Sequence, residues 1–314
     1  MTISEIERAH ETLSRQSDPR PRRRGYRRGN TALALFILPG LVVFTIVVTV
    51  PVIQNFYFSF TDWNGFSPNP DFVGLKNFAS MAGDSALVNA AKNTLIFTLI
   101  TAPVQFFIAL ALAVSLSGAG RVKHFLRTVV VLPIAISGTV LGFLGTLIFD
   151  PGRGLLVGAS HIPGLAFLDQ NWLGDPTLAM FCVVAMSVWQ YAGLNTIIFI
   201  AAIATVPQEL GEAATIDGAG PWRSFWSVTW PMLAPAATIN LVLNVIGGLK
   251  VFDVIYVLTK GGPAGATESV VTRVATSSSI NGGYSAATSF VLTVLITLIA
   301  FVLLAILRRR EFAA

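Results

Sequence analysis

Apolar residues in this chain fall into six long blocks separated by polar stretches: Thr31 to Val52, Thr94 to Leu116, Leu126 to Phe149, Thr177 to Ala204, Ala236 to Leu258 and Ala286 to Leu307. Each block reaches the length of about 20 residues that a helix needs to cross roughly 30 Å of hydrocarbon. The pattern predicts an all-α integral membrane protein with six transmembrane helices. The first block runs on into Gln54-Asn55-Phe56-Tyr57 without a small-residue cleavage site, so it reads as a retained span and not as a signal peptide. Pro39, Pro51, Pro103 and Pro133 lie inside spans and predict bends whose freed carbonyls are satisfied by neighbours. Gly138, Gly142 and Gly145 in the third block predict close helix packing.

Composition strengthens this picture. Of 314 residues, 54% are hydrophobic and only 12% charged, about half the charge density of a soluble domain. Soluble enzyme classes are thereby excluded. Six spans put both termini on one side. The side carrying the N-terminal tail, the 117–127 loop, the 205–235 loop and the C-terminal end holds fifteen lysines and arginines, against five in the opposite loops. That bias places both termini in the cytoplasm. Residues 1–30 hold eight arginines and no apolar run, and form a basic cytoplasmic tail with a short helix around Ser4 to Leu13. A cluster of arginines directly before a span fixes orientation and touches anionic membrane lipid, so no nucleic-acid partner is expected. The rest, 31–314, forms one membrane domain. Its outward loops, of 41, 27 and 27 residues, are long enough to carry folded surface for an external partner.

Most chemistry is missing. Cys182 has no partner for a disulfide and reads as a small apolar residue inside a helix. There is no P-loop, no His-Glu-x-x-His and no Cys-x-x-Cys, and His10, His124 and His161 are far apart, so neither a nucleotide site, a catalytic set nor a metal site is expected. The spans lack the serial carboxylates of a proton relay. Lys250 and Asp253 are the exception: three residues apart near the outer end of the fifth span, they are spaced to pair on one helical face or to serve a pathway.

The richest segment is the cytoplasmic loop 207–235. Pro207 suits a first helical turn, Glu209 and Glu212 suit the positive N-terminal end, and Gly218 with Gly220 ends the helix. A second short helix then carries Trp222, Phe225 and Trp226. Such a rigid, partly apolar knob serves either as an interfacial anchor or as a docking element for a soluble partner. Glu212-Ala213-Ala214, Asp217-Gly218-Ala219, Phe225, Val228, Pro231 and Pro235 resemble, at matching spacing, the EAA loop of binding-protein-dependent ABC importer permeases. The resemblance implies the type I ABC importer transmembrane fold. It implies coupling helices that insert into an ATPase cleft, with Glu209, Glu212, Ala213, Ala214, Asp217, Gly218 and Phe225 as coupling residues. It further implies that the chain is not itself an enzyme and carries no cofactor, ATP and Mg being bound by the partner ATPase.

A second set of phrases narrows the branch. Ser59-Phe60-Thr61-Asp62-Trp63, Phe72-Val73-Gly74-Leu75-Lys76-Asn77-Phe78, and the run Phe252 to Pro263 with Thr267-Glu268 are similar to carbohydrate-uptake permeases of the maltose and multiple-sugar type, in particular the subunit equivalent to the larger maltose permease. The similarity covers about residues 31 to 310, without that subunit's extra N-terminal spans and large external insertion. It implies a multi-pass protein of the bacterial cytoplasmic (inner) membrane. The implied partners are a second EAA-loop permease subunit, an ABC ATPase dimer, an extracytoplasmic sugar-binding protein and a sugar substrate. Counted from Trp189, Glu212 and Gly261-Gly262-Pro263, the sugar-contacting positions of the resembled permease fall on Gln190, Tyr191, Leu194, Asn244, Gly248 and Val251. Gly248 and Val251 replace larger amides, which implies a different substrate fit. The residues themselves show Asn240, Asn244, Gly248 and Val251 at helical spacing on one face of the fifth span, where asparagines either bond between helices or line a polar cavity. Two alternatives stay open: a glycerol-3-phosphate or polyol-phosphate importer, for which Lys250 is the one basic residue within a span, and a secondary transporter of a different class.

Overall fold

A computed structural model describes residues 26–278 and 281–311; most of the basic tail, with its expected helix at Ser4–Leu13, lies outside them. The chain divides into two compact units, Met1–Gln54 and Asn55–Ala314. Among the described residues the architecture is helical, with one isolated antiparallel bridge between Thr61 and Phe72.

The first span begins in α1 (Tyr26–Phe44), passes through a π-helical turn at Thr45–Thr49 and continues in α2 (Val50–Phe58). The widened turn stands directly before Pro51, whose ring would clash with the carbonyl four residues back in a regular helix. Beyond α3 (Lys76–Ala82) runs α4 (Ser85–Leu116), the longest helix at 32 residues. Next come α5 (Arg121–Val131), a 3-10 turn at Leu132–Ala135, and α6 (Gly138–Phe149). A short α7 (Leu155–Ser160) leads to the 28-residue α8 (Pro176–Ile203). The 207–235 loop holds α9 (Gln208–Ile216), α10 (Pro221–Ser224), a second π-helical turn at Phe225–Thr229 and α11 (Trp230–Met232). Finally α12 (Ala234–Leu249), α13 (Asp253–Leu258), α14 (Val270–Ser277) and α15 (Gly282–Glu311) close the chain.

Five of the six expected spans are helices long and apolar enough to cross a membrane: Leu35–Phe58, α4, α8, Ala234–Leu258 and Gly282–Arg309. The third is different. Arg121–Ala135 and Gly138–Phe149 meet at a bend of 99°, so the expected continuous span Leu126 to Phe149 is a broken pair. Pro133 forces the 3-10 turn, Ile136 is extended, and Ser137 restarts the helix as an N-cap whose Oγ accepts the Val140 amide. Hydropathy registers the apolar run but not its direction.

The fifth span also breaks. Lys250 ends α12, and Phe252, at φ −141° and ψ −65°, separates it from α13. Lys250 and Asp253 therefore do not share a helical face, and among the described residues the ion pairs are Arg273 with Asp84 and with Glu268, so the expected pairing is not formed. Packing follows the glycines as expected. A Cβ at Gly142 would lie 2.6 Å from the Cβ of Val257, and one at Gly145 would lie 2.9 Å from Leu258 Cδ1, which is why α13 nests against α6. Leu141, Phe149, Val183, Met186, Ile255 and Leu258 form the core beneath this contact, with Cys182 buried among them. Ala109, Ala113, Phe199 and Leu233 form a second core nearer the 207–235 loop.

The end of the helix bundle that the Lys/Arg bias makes the outer one is tied together by Asp84. Its Oδ1 caps α4 by accepting the amides of Ala86 and Leu87. Arg273 of α14 donates to both carboxylate oxygens at 3.1 and 2.9 Å, and the Tyr284 hydroxyl of α15 donates at 2.6 Å. Burial pushes the Asp84 carboxyl up, but the bonds from Tyr284, Arg273 and the Leu87 amide, with the Arg273 charge, outweigh it and lower it from 3.8 to about 2. Replacing Arg273 by Ala is expected to cost about 1–2 kcal/mol. Because the carboxylate is depressed in the folded state, this contribution is complete above 3.8 and lost as pH falls through about 2. Thermal melts of the wild type and Arg273→Ala in detergent should differ at neutral pH and converge near the lower value.

Candidate functional site

The breaks in the third and fifth spans open onto one cavity of about 340 Å³ among α4, α6, α8 and α12. Amides dominate its polar lining. Gln190 of α8 donates to the Ile136 carbonyl at 2.8 Å, satisfying the backbone that the third span leaves unpaired at its break. Gln105 of α4 donates to the Ser187 carbonyl at 3.1 Å. Three asparagines form a closed set: Asn195 Nδ2 donates to Asn244 Oδ1 at 2.8 Å, Asn244 Nδ2 donates to Asn240 Oδ1 at 3.0 Å, and Asn240 Nδ2 donates to the Asn195 carbonyl at 3.2 Å. Asn240 is fully buried behind the cavity, so its role is to bond helices, whereas Asn244 does that and lines the cavity. Each amide nitrogen has two hydrogens and each amide oxygen two lone pairs, which leaves Gln190 and Asn244 with further capacity toward a ligand.

All six positions expected to meet a substrate, Gln190, Tyr191, Leu194, Asn244, Gly248 and Val251, line this one cavity. Tyr191 and Leu194 are the more open, at 44% and 40% exposed. Gly248 has a packing reason as well: a Cβ there would lie 2.8 Å from Thr98 Oγ1 on α4. The sequence reading missed Asn195, Gln105 and Ser187. Asn195 had a signal, since it stands four residues after Tyr191 on the same helix. Gln105 had none, because only the α4–α8 packing brings it there. Lys250 and Asp253, both exposed, are the two charged residues of the lining. Among the described residues no group of three or more His, Cys, Asp or Glu stands close enough to hold a metal ion.

The loop at the inner end of α8 has equally definite geometry. Pro207 is the N-cap of α9, one position before the first turn, and Glu209 occupies that turn. The helix ends in a Schellman motif: Gly218 takes φ +80°, its amide bonds the Thr215 carbonyl at 3.0 Å, and the Ala219 amide bonds the Ala214 carbonyl at 2.8 Å. Glu209, Glu212, Ala213, Asp217 and Gly218 are exposed, Ala214 and Phe225 half-buried. Ile216 and Trp222 project at 86% and 75% exposure, an apolar tip unlike a solvated loop. From that tip, aromatic rings run inward through Trp222, Trp226 and Trp230 to Phe106 of α4 and Phe199 of α8, with centroids 5.3 to 6.4 Å apart.

An amide-lined cavity inside a bundle of spans, joined through one helix to an exposed cytoplasmic elbow, defines a transport permease. The chain belongs to the family of binding-protein-dependent transport system inner membrane components, whose pattern matches residues 105–312. It is 34% identical over 236 residues to the trehalose/maltose transport system permease protein MalF of Thermococcus litoralis, covering 75% of this chain and 79% of that protein. It is 35% identical over 265 residues to the sn-glycerol-3-phosphate transport system permease protein UgpA of Agrobacterium fabrum, covering 83% and 89%. A chain of a bacterial ABC transporter involved in the import of the acidic polysaccharide alginate has the same fold, with a TM-score of 0.75 at 22% identity over 91% of this chain and 96% of that one. Type I importer architecture and a multi-pass membrane location follow. Replacing Asn240 by Ala is expected to lower stability by about 1–2 kcal/mol, since it releases Asn195 and Asn244 together. A thermal midpoint in detergent unchanged from wild type would contradict the closed asparagine set.

Proposed function

We propose that this chain is one permease subunit of an ATP-driven, binding-protein-dependent importer of neutral sugars in the bacterial cytoplasmic membrane. The observation that carries the reading is the cavity: amides and hydroxyls beside apolar walls suit a sugar's hydroxyls and flat faces, and its charges amount to one of each sign. Gln190, Tyr191 and Asn244 supply the polar contacts, while Leu194, Gly248 and Val251 shape the wall. A binding protein delivers the sugar to the outer loops. Closure of a separate ATPase dimer, which holds ATP and Mg, acts on Glu209, Glu212, Ala213, Ala214, Asp217, Gly218 and Phe225. The aromatic run from Trp222 to Phe199 carries that displacement into α4 and α8. A second EAA-loop permease completes the pathway, and the two rock between outward and inward access.

A phosphorylated polyol is the second reading, favoured by Lys250 on the cavity wall and by the name of the Agrobacterium relative. Asp253 on the same wall weighs against it. Affinity purification of the chain from its native membrane in mild detergent should recover a P-loop ATPase and a second permease. Recovery of a lone homo-oligomer, under conditions that preserve a known importer, would return the secondary-transporter reading. Glu212→Lys or Gly218→Glu is expected to abolish uptake in a panel of radiolabelled sugars and glycerol 3-phosphate while leaving membrane insertion intact. Uptake at the wild-type rate would sink the coupling assignment.

A further inference from the structure

At the cavity wall, the two broken spans touch through one carboxylate. A Cβ at Gly138, the first residue of α6, would lie 2.6 Å from the Cβ of Asp253 and 2.9 Å from its Oδ2, so the Asp253 side chain rests against the N-terminal turn of that helix. Any larger residue at position 138 would displace it. The beginning of a 12-residue helix carries a partial positive charge of about half an elementary unit and amides without intrahelical partners. Lys250 adds a full positive charge to the same lining and, among the described residues, has no carboxylate within 4 Å. Without Asp253, this corner of the cavity would present a lysine and a helix N-terminus, the usual components of an anion site. Asp253 supplies the negative charge in advance. The break between α12 and α13 keeps it there: Val251, one residue past Lys250, has its carbonyl held by Ser269 Oγ at 2.8 Å, and Phe252 stacks on Tyr256 with centroids 5.1 Å apart.

We infer that Asp253 is the charge-selecting residue of this cavity, excluding sugars that carry a carboxylate or phosphate. The inference rests on the sugar-pathway reading and deepens it. The test is isothermal titration of the purified complex of both permeases and the ATPase, free of its binding protein, with maltose, trehalose, glucuronate and glucose 6-phosphate. Wild type should bind a neutral sugar and neither anion. Asp253→Asn should gain about tenfold or more in affinity for glucuronate over wild type. Adding Lys250→Gln to Asp253→Asn should remove that gain. If Asp253→Asn binds the anions no better than wild type, the inference is overturned, and retained neutral binding leaves the sugar reading standing. If wild type itself prefers the anions, both fall together. If Asp253→Asn loses neutral sugar and gains no anion, Asp253 is a sugar contact or a packing group and selection by charge is wrong.

Discussion

Hydrocarbon offers no hydrogen bonds to an interrupted helix, and that constraint organises the interior of this protein. Each span that breaks exposes backbone groups that must find partners within the protein. The third span breaks at Ile136, and Gln190 from α8 reaches its carbonyl. The fifth breaks at Lys250 to Phe252, and Ser269 reaches the Val251 carbonyl. Both repairs come from other elements, so each break fastens two helices together at the place where it opens the cavity. Polar side chains that would be costly in lipid are thus concentrated around the cavity that the breaks open.

Helix α8 is central to this arrangement. Along one face it carries Ser187, Gln190, Tyr191, Leu194 and Asn195 toward the cavity. Gly193 lets the broken third span come close, since a Cβ there would collide with the Val130 carbonyl. Its C-terminal end leads directly into the loop whose tip bears Ile216 and Trp222. A displacement of that tip therefore has a short, stiff route to the site. The rings from Trp222 to Phe199 are edge-on or T-shaped, a geometry in which each blocks the sliding of the next. On the opposite side, Arg127 donates to the carbonyls of Leu116 and Gly118 at the inner end of α4. Both helices that flank the cavity are thereby fixed at the end where the loop attaches.

Much of this was legible in the sequence because it rests on local chemistry. The 207–235 loop could be read residue by residue: glycine at 218 is demanded by a positive φ, and the carboxylate at 209 suits a helix start. The five long helices announced themselves by hydropathy. What escaped was direction. An apolar run from Leu126 to Phe149 has the same hydropathy straight or bent by 99°, and only Pro133 followed by Ser137-Gly138 marked the place. The spacing of Lys250 and Asp253 suggested a pair because a helix was assumed to continue past Leu249, where it in fact stops. Among the cavity residues, Gln190, Tyr191, Leu194, Asn244, Gly248 and Val251 were found through their spacing to the family's landmarks. Gln105 and Ser187 were not, because their roles exist only once α4 lies against α8.

The two breaks also explain why glycine recurs along α6 in a way that propensity alone would not favour. Gly142 and Gly145 admit Val257 and Leu258 of α13, and Gly138 admits Asp253 one turn further toward the break. The three glycines stand on one face at intervals of four and three, so α13 lies along α6 like a strap whose first residue is the charged one. Packing and electrostatics are therefore set by the same contact: the closer α13 sits in its groove, the more firmly the carboxylate is held at the head of α6. A movement that separates the two helices would loosen the core at Leu258 and withdraw the charge at Asp253 in a single step, so the polarity of the cavity is tied to the conformation of the spans around it.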